Sequence, residues 1–82
     1  MKPIFESNYL GTSIKVLPTC VEFNILGSGA KSILVNQIAS ISLPMWGVMK
    51  ITIETTGGQK YTIPTHKKKE VRDAIYKAQE SH

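Results

Sequence analysis

The residues with the clearest chemical potential form the densest basic cluster of the sequence, namely His66, Lys67, Lys68 and Lys69. Ammonium groups at this density could bind an anion. A helix is predicted to begin at the same point, however, and cations near a helix N-terminus are unfavourable by roughly 0.3–1 kcal/mol each. The position of the lysines therefore requires an explanation.

Three interpretations of this basic cluster are open. It could be a solvated helix face that aids solubility, with Glu70 and Asp73 offsetting part of the dipole penalty. It could be a docking site for an anionic protein or a lipid headgroup. It could also bind nucleic acid weakly and with a strong dependence on salt. No aromatic residue is interleaved with the lysines to stack on bases, which counts against single-strand recognition.

The second unusual stretch is LPMWGVM, residues 43–49. Pro44 and Gly47 indicate a loop or a bend, yet the remaining residues are apolar. The alternation of the flanking strands places Leu43 and Met49 in the core.

The other apolar residues of this stretch are Met45, Trp46 and Val48. They suit either the core or an exposed patch, and exposed apolar patches mark interaction sites. Tryptophan and methionine are also enriched at protein interfaces. We therefore treat these three as candidates for binding a partner protein or a second copy of the chain.

Residues that could catalyse a reaction or bind a metal do not form a recognisable motif. His66 and His82 are 16 positions apart, and no group of Cys, His and carboxylates has the spacing of a metal site. The stretch GSGA lacks the Gly-Lys pair and the strand-to-helix context of a phosphate-binding loop. We expect no catalytic residue, no metal and no cofactor. An enzyme would require the fold to bring His66 beside Cys20 or a carboxylate in a pocket.

Cys20 is the one cysteine, so no intrachain disulfide can form. Its apolar surroundings favour a buried structural thiol over a nucleophile. The start MKPIFESNYL does not read as a signal peptide, and no apolar run approaches 18 residues. These features predict no transmembrane segment and a reducing, cytoplasmic location.

Size and composition are those of a single globular domain spanning residues 1–82. The chain is 41% hydrophobic and 20% charged, and its net charge of +4 is only mildly basic. Period-two alternation predicts about seven strands within residues 4–64. In the stretch ITIETTGGQKYTI, a three-residue loop over 56–58 places Ile53 opposite Tyr61, whereas a two-residue turn would mix apolar and polar side chains on both faces.

The period changes after Pro64. Val71, Ala74, Ile75 and Ala78 form a helical stripe, which predicts a helix over about 66–80 with Thr65 as a candidate cap. Strands followed by one terminal helix indicate a mainly antiparallel, mainly β (α+β) fold, in which the helix can close the open end of a barrel or sandwich.

The order of elements in residues 33–80, from ILVNQIASISL through GVMKITIETTGGQKYTIPTHKKKEVRDAIYKA, resembles that of short bacterial pleckstrin-homology-like (PH-like) domains. The resemblance implies about seven antiparallel strands in two sheets and a C-terminal capping helix. It carries no catalytic or ligand signature. Members that bind phosphoinositides have a basic cluster at the first hairpin, where this chain has only Lys15, so inositol phosphate binding is not supported.

These observations together predict a non-catalytic PH-like module that acts through protein–protein contacts or self-association. The alternative is a weak basic binder of nucleic acid or an anionic membrane surface through Lys67 to Lys69.

Overall fold

A computed structural model describes residues 3–45 and 47–80 of the chain. The elements are β1 (Phe5–Tyr9), β2 (Thr12–Val16), β3 (Cys20–Ile25), β4 (Gly29–Leu34), a short 3₁₀ turn (Val35–Gln37), β5 (Ile38–Ser42), β6 (Lys50–Thr55), β7 (Lys60–Pro64) and α1 (Lys68–Glu80). The prediction of a mainly β chain with seven strands and one C-terminal helix is confirmed.

The strands form two antiparallel sheets, one in the order β1-β2-β3-β4 and the other in the order β5-β6-β7. No strand pair among the described residues joins the two sheets, so the strands do not close into a barrel. The 3₁₀ turn at Val35–Gln37 interrupts the chain between β4 and β5, and the second sheet starts there. The architecture is that of two sheets with a helix, as in a sandwich.

The core follows the alternation of the strands. In β3, Val21 and Phe23 are buried whereas Glu22 and Asn24 are exposed. Phe23 of the first sheet meets the ring of Tyr61 from the second, with ring centroids 5.5 Å apart in an edge-to-face arrangement. The apolar faces of both sheets thus meet in one core.

The hairpin between β6 and β7 has the predicted register. Ile53 lies opposite Tyr61, and the N–H of Thr55 donates to the carbonyl of Gln59 at 2.8 Å, which closes a three-residue loop. Gly58 adopts a left-handed conformation with φ of 87°. Both the loop length and the role of Gly58 are therefore confirmed.

Replacing Gly58 with alanine is expected to lower the free energy of unfolding by about 1 kcal/mol, because a side chain disfavours the left-handed conformation. No atom lies within 4 Å of the position of the new Cβ, so the penalty is one of backbone conformation rather than collision. Gly57→Ala is the matched control, because this glycine lacks a positive φ and its new Cβ would meet only the Thr55 hydroxyl at 3.8 Å. Urea denaturation of both variants tests the difference, and equal losses would contradict this account of the loop.

The terminal helix begins two residues later than predicted. Its first backbone hydrogen bond runs from the N–H of Val71 to the carbonyl of Lys67 at 2.9 Å, which makes Lys67 the N-terminal cap residue. The buried Thr65 accepts the N–H of Lys67 on its hydroxyl at 3.1 Å. Thr65 thus forms a turn ahead of the helix instead of capping it, and His66 lies outside the helix.

The helix buries the predicted stripe, Val71, Ala74, Ile75 and Ala78. This face packs against β1, β2 and the 3₁₀ turn. Near the C-terminal end, the side-chain amide of Gln79 donates to the carbonyls of Val35 and Ile38 at 3.1 and 3.3 Å. The helix therefore covers the start of the second sheet as well as the edge of the first.

Candidate functional site

The structure brings the two unusual stretches of the sequence together through one side chain. The ammonium of Lys68 donates to the carbonyls of Pro44, Met45 and Val48, at 3.2, 3.2 and 3.1 Å respectively. An ammonium has three N–H donors, so these three carbonyls satisfy all of them. The described residues of the loop between β5 and β6, 43–45 and 47–49, are thereby held to the start of α1.

This arrangement explains a lysine at the positive end of a helix. Hydrogen bonds from a charged group contribute about 1.5–3 kcal/mol each before solvent screening, and three of them exceed a dipole penalty of up to about 1 kcal/mol. Lys68 is half-buried, whereas Lys67 and Lys69 are exposed. The interpretation of the cluster as a solvated helix face is therefore wrong for Lys68. The exposure of Lys67 and Lys69 agrees with that interpretation.

A cleft of about 330 Å³ lies between the fastened loop and the helix start. We call it the loop–helix cleft. Its lining residues are Gly47, Val48, Met49, His66, Lys68, Lys69 and Glu70. The predicted partner-binding stretch and the predicted anion-binding stretch thus both line a single cleft, although they are about twenty positions apart in the chain.

The predicted partner-binding residues have different positions. Met45 is exposed and Val48 is half-buried in the wall of the loop–helix cleft, whereas Trp46 lies outside the described residues. Leu43 packs partly buried against the core, as predicted.

The core assignment of Met49 is wrong, because its side chain is 50% exposed. The Met49 carbonyl accepts the N–H of Thr65 at 3.1 Å, which extends the pairing of β6 with β7 by one step. Met49 therefore lies at the end of the sheet, beyond the core, and lines the loop–helix cleft. It is the functional candidate that the alternation pattern missed, and its position two residues after Gly47 was the available signal.

His66 lies against the ring of Tyr9 from β1, with centroids 5.1 Å apart. It lines the loop–helix cleft together with Glu70. Glu70 thus supplies a carboxylate in the same cleft as His66, which is one of the placements that an enzyme would require, whereas Cys20 is not among the lining residues and neither is any serine or threonine. Cys20 was predicted to be buried, but it is half-exposed because the phase of β3 directs Val21 inward and Cys20 outward.

The remaining described residues present few other candidate groups. Within residues 3–45 and 47–80, no three His, Cys, Asp or Glu side chains gather closely enough to hold a metal ion. No helix in this part of the chain has the length and apolar character needed to cross a bilayer.

Two leucines that the sequence did not single out are exposed at neighbouring hairpin tips. Leu10 and Leu26 are 74% and 75% exposed. Leu10 has φ of 50°, a left-handed conformation that is rare for a branched residue. Leu26 packs over Gly11, where an added Cβ would lie 3.1 Å from it. The sequence signals for these tips were the Leu-Gly pairs in YLGT and ILGSG.

Comparison with known protein families finds no family that matches this chain, and no curated protein has a matching sequence.

The three lysines are expected to differ in reactivity towards an amine-acylating reagent. Lys68 should react about tenfold more slowly than Lys67 and Lys69, the factor that corresponds to about 1.4 kcal/mol of hydrogen bonding. Limited acylation of the native chain followed by peptide mass spectrometry measures all three rates, with the neighbours as internal controls. Equal rates would show that Lys68 does not hold the loop.

Proposed function

We propose that the chain is a non-catalytic PH-like domain that binds a partner protein in the loop–helix cleft. The order of four strands, three strands and a C-terminal helix supports the PH-like part of the proposal. The lining of the cleft supports binding, since apolar side chains lie beside lysines and no serine, threonine or cysteine is among the lining residues.

The single observation that carries the proposal is the fastening of the loop by Lys68. An apolar loop that is fixed before binding loses less conformational entropy when a partner arrives. Within this fixed loop, the side chains of Met45 and Met49 are 80% and 50% exposed. Methionines adapt their shape to a partner at little cost. A pre-formed apolar wall of this kind is typical of protein-binding surfaces.

Association through a free sheet edge is less well supported. The edge strand β4 carries Lys31 on the same face as Phe23, and the Lys31 ammonium lies 5.7 Å from the ring centroid of Tyr61. The edge strand β7 contains Lys60 and ends at Pro64. Inward-pointing charges and prolines are the devices that prevent pairing of exposed strand edges.

Binding of nucleic acid or an anionic membrane is the second candidate, and it rests on the exposure of Lys67 and Lys69. Because Lys68 is engaged by three carbonyls, two lysines rather than three remain for phosphate contacts. Two contacts give a dependence of log K on log salt of only about −1.8 for duplex DNA. This candidate therefore predicts weak binding that disappears near physiological salt.

The proposal is tested by comparing Met49→Asp with Leu34→Asp. The two side chains are exposed to 50% and 48%, but only Met49 lines the loop–helix cleft. The immobilised chain is used to capture proteins from a nuclease-treated lysate of the source cells. We expect wild type and Leu34→Asp to retain the same protein and Met49→Asp to lose it. Equal capture by all three chains would place the contact elsewhere, and sedimentation velocity of the same variants reports self-association through the cleft.

A further inference from the structure

We infer that the occupant of the loop–helix cleft is a short acidic segment of another protein, with one apolar side chain seated between the loop and the helix. This inference rests on the proposed function and specifies the chemistry of the partner.

Positive charge outweighs negative charge around the cleft. Lys68 and Lys69 line it, and Lys67, which precedes them in the sequence, is exposed. The start of α1 adds the partial positive charge of the helix dipole. Glu70 is the one acid among the lining residues. Carboxylates of a partner would therefore meet complementary charge at this end of the molecule.

The cleft also has apolar lining residues. Val48 and Met49 line it, and Gly47 leaves room because it has no side chain. The volume of about 330 Å³ is near the lower end of the range of roughly 300–1,000 Å³ for ligand pockets. Such a space suits one or two side chains of a peptide. The apolar surface is recessed between two elements, which fits an inserted side chain better than the flat surface of a bilayer.

A second copy of the chain is a poor occupant. A two-fold dimer brings the same patch of each copy together. Lys67 and Lys69 of both copies would then be brought into one interface, in a chain whose net charge is already +4. Like charges that face each other across an interface oppose association. The charge of the cleft thus favours a different, acidic protein.

The test is a selection of short random peptides, displayed on phage, against the immobilised full chain. The enriched peptides are expected to place Asp or Glu beside Leu, Met or Phe. Synthetic copies should bind Met49→Asp at least about tenfold more weakly than wild type, as for the central contact of an interface. Leu34→Asp should bind them as wild type does.

A double charge reversal, Lys67→Glu with Lys69→Glu, should weaken the binding of the same peptides about fivefold or more. Added salt should weaken their binding to the wild-type chain. The reversal places acidic residues at the start of α1, where they favour the helix. Circular dichroism is expected to show an intact fold for this variant. A loss of affinity for the peptides would therefore be due to the change of charge and not to unfolding.

The outcomes separate this inference from the proposed function. One contrary outcome is a set of selected peptides that are neutral or basic, lose affinity for Met49→Asp and bind the charge-reversal variant as they bind wild type. That result would overturn the acidic character of the partner and leave the cleft as the binding site. Peptides that ignore Met49→Asp, or the absence of any enriched peptide, would overturn both. Binding of mixed phosphatidylcholine–phosphatidylserine vesicles that Met49→Asp abolishes, without peptide binding, would assign the cleft to a lipid surface instead.

Discussion

Replacing Ile75 with alanine is expected to lower the free energy of unfolding by about 2–5 kcal/mol, the range for large-to-small changes in a core. Ile75 is fully buried and lies on the helix face that packs against the first sheet and the 3₁₀ turn. A domain of this size has a total stability of roughly 4–12 kcal/mol. The variant should therefore unfold at a clearly lower urea concentration, measured by circular dichroism.

Tyr76→Ala is the control for this helix substitution. Tyr76 is the next residue, and its side chain is 45% exposed on the other face of α1. We expect its loss to change the free energy of unfolding by less than about 1 kcal/mol, as for most surface substitutions. If Ile75→Ala is no more destabilising than Tyr76→Ala, the helix does not close the core in the way described.

Replacing Lys68 with methionine is expected to lower the free energy of unfolding by about 1–2 kcal/mol. Methionine keeps most of the apolar stem but removes the three hydrogen bonds to the carbonyls of Pro44, Met45 and Val48. The estimate lies below the sum of three charge-assisted hydrogen bonds, because the ammonium is partly exposed and the freed carbonyls can bind water. Urea denaturation measures the loss, and amide spectra should change throughout residues 43–49.

Lys69→Met distinguishes the hydrogen bonds of Lys68 from its charge. Lys69 is exposed at the start of the same helix, where removing a cation relieves the dipole penalty. This substitution should therefore be neutral or stabilising by a few tenths of a kcal/mol. The two lysine variants are thus predicted to change stability in opposite directions or by clearly different amounts. A loss of equal size in both would contradict the role assigned to Lys68.

The strands and their registers could be predicted because they depend on local pattern. Alternation in β3 and β6 records which side chains face the core, and the register of Ile53 with Tyr61 follows from keeping apolar side chains on one face. The helical stripe around Ile75 is equally local. These features need no knowledge of how distant segments meet.

The site could be predicted only in part, because it depends on contacts between distant segments. The sequence identified Val48 and the lysines as unusual but gave no reason to join them, since the bond from Lys68 to Val48 spans 20 positions. Nothing local distinguishes Lys68 from Lys67 and Lys69. The exposure of Met49 was missed for the same reason, because alternation shows the face of a strand and not where the opposing sheet ends.

The separation of the two sheets was also beyond local pattern. Leu34 and Ile38 lie on either side of the 3₁₀ turn, and the sequence between them, VNQ, contains no glycine or proline to mark the end of a strand. Whether strands close into a barrel depends on tilt and stagger summed over all of them. The alternation of single strands does not contain that information.

The central claim is that one cleft, joined by Lys68, binds the partner. Titration of the isotopically labelled chain with the tightest selected acidic peptide, followed by amide chemical shifts, tests it most directly. We expect the largest shifts on residues 47–49 and 66–70. Shifts concentrated at the Leu10 and Leu26 hairpin tips or along the edge strand β4, with the cleft unchanged, would contradict it.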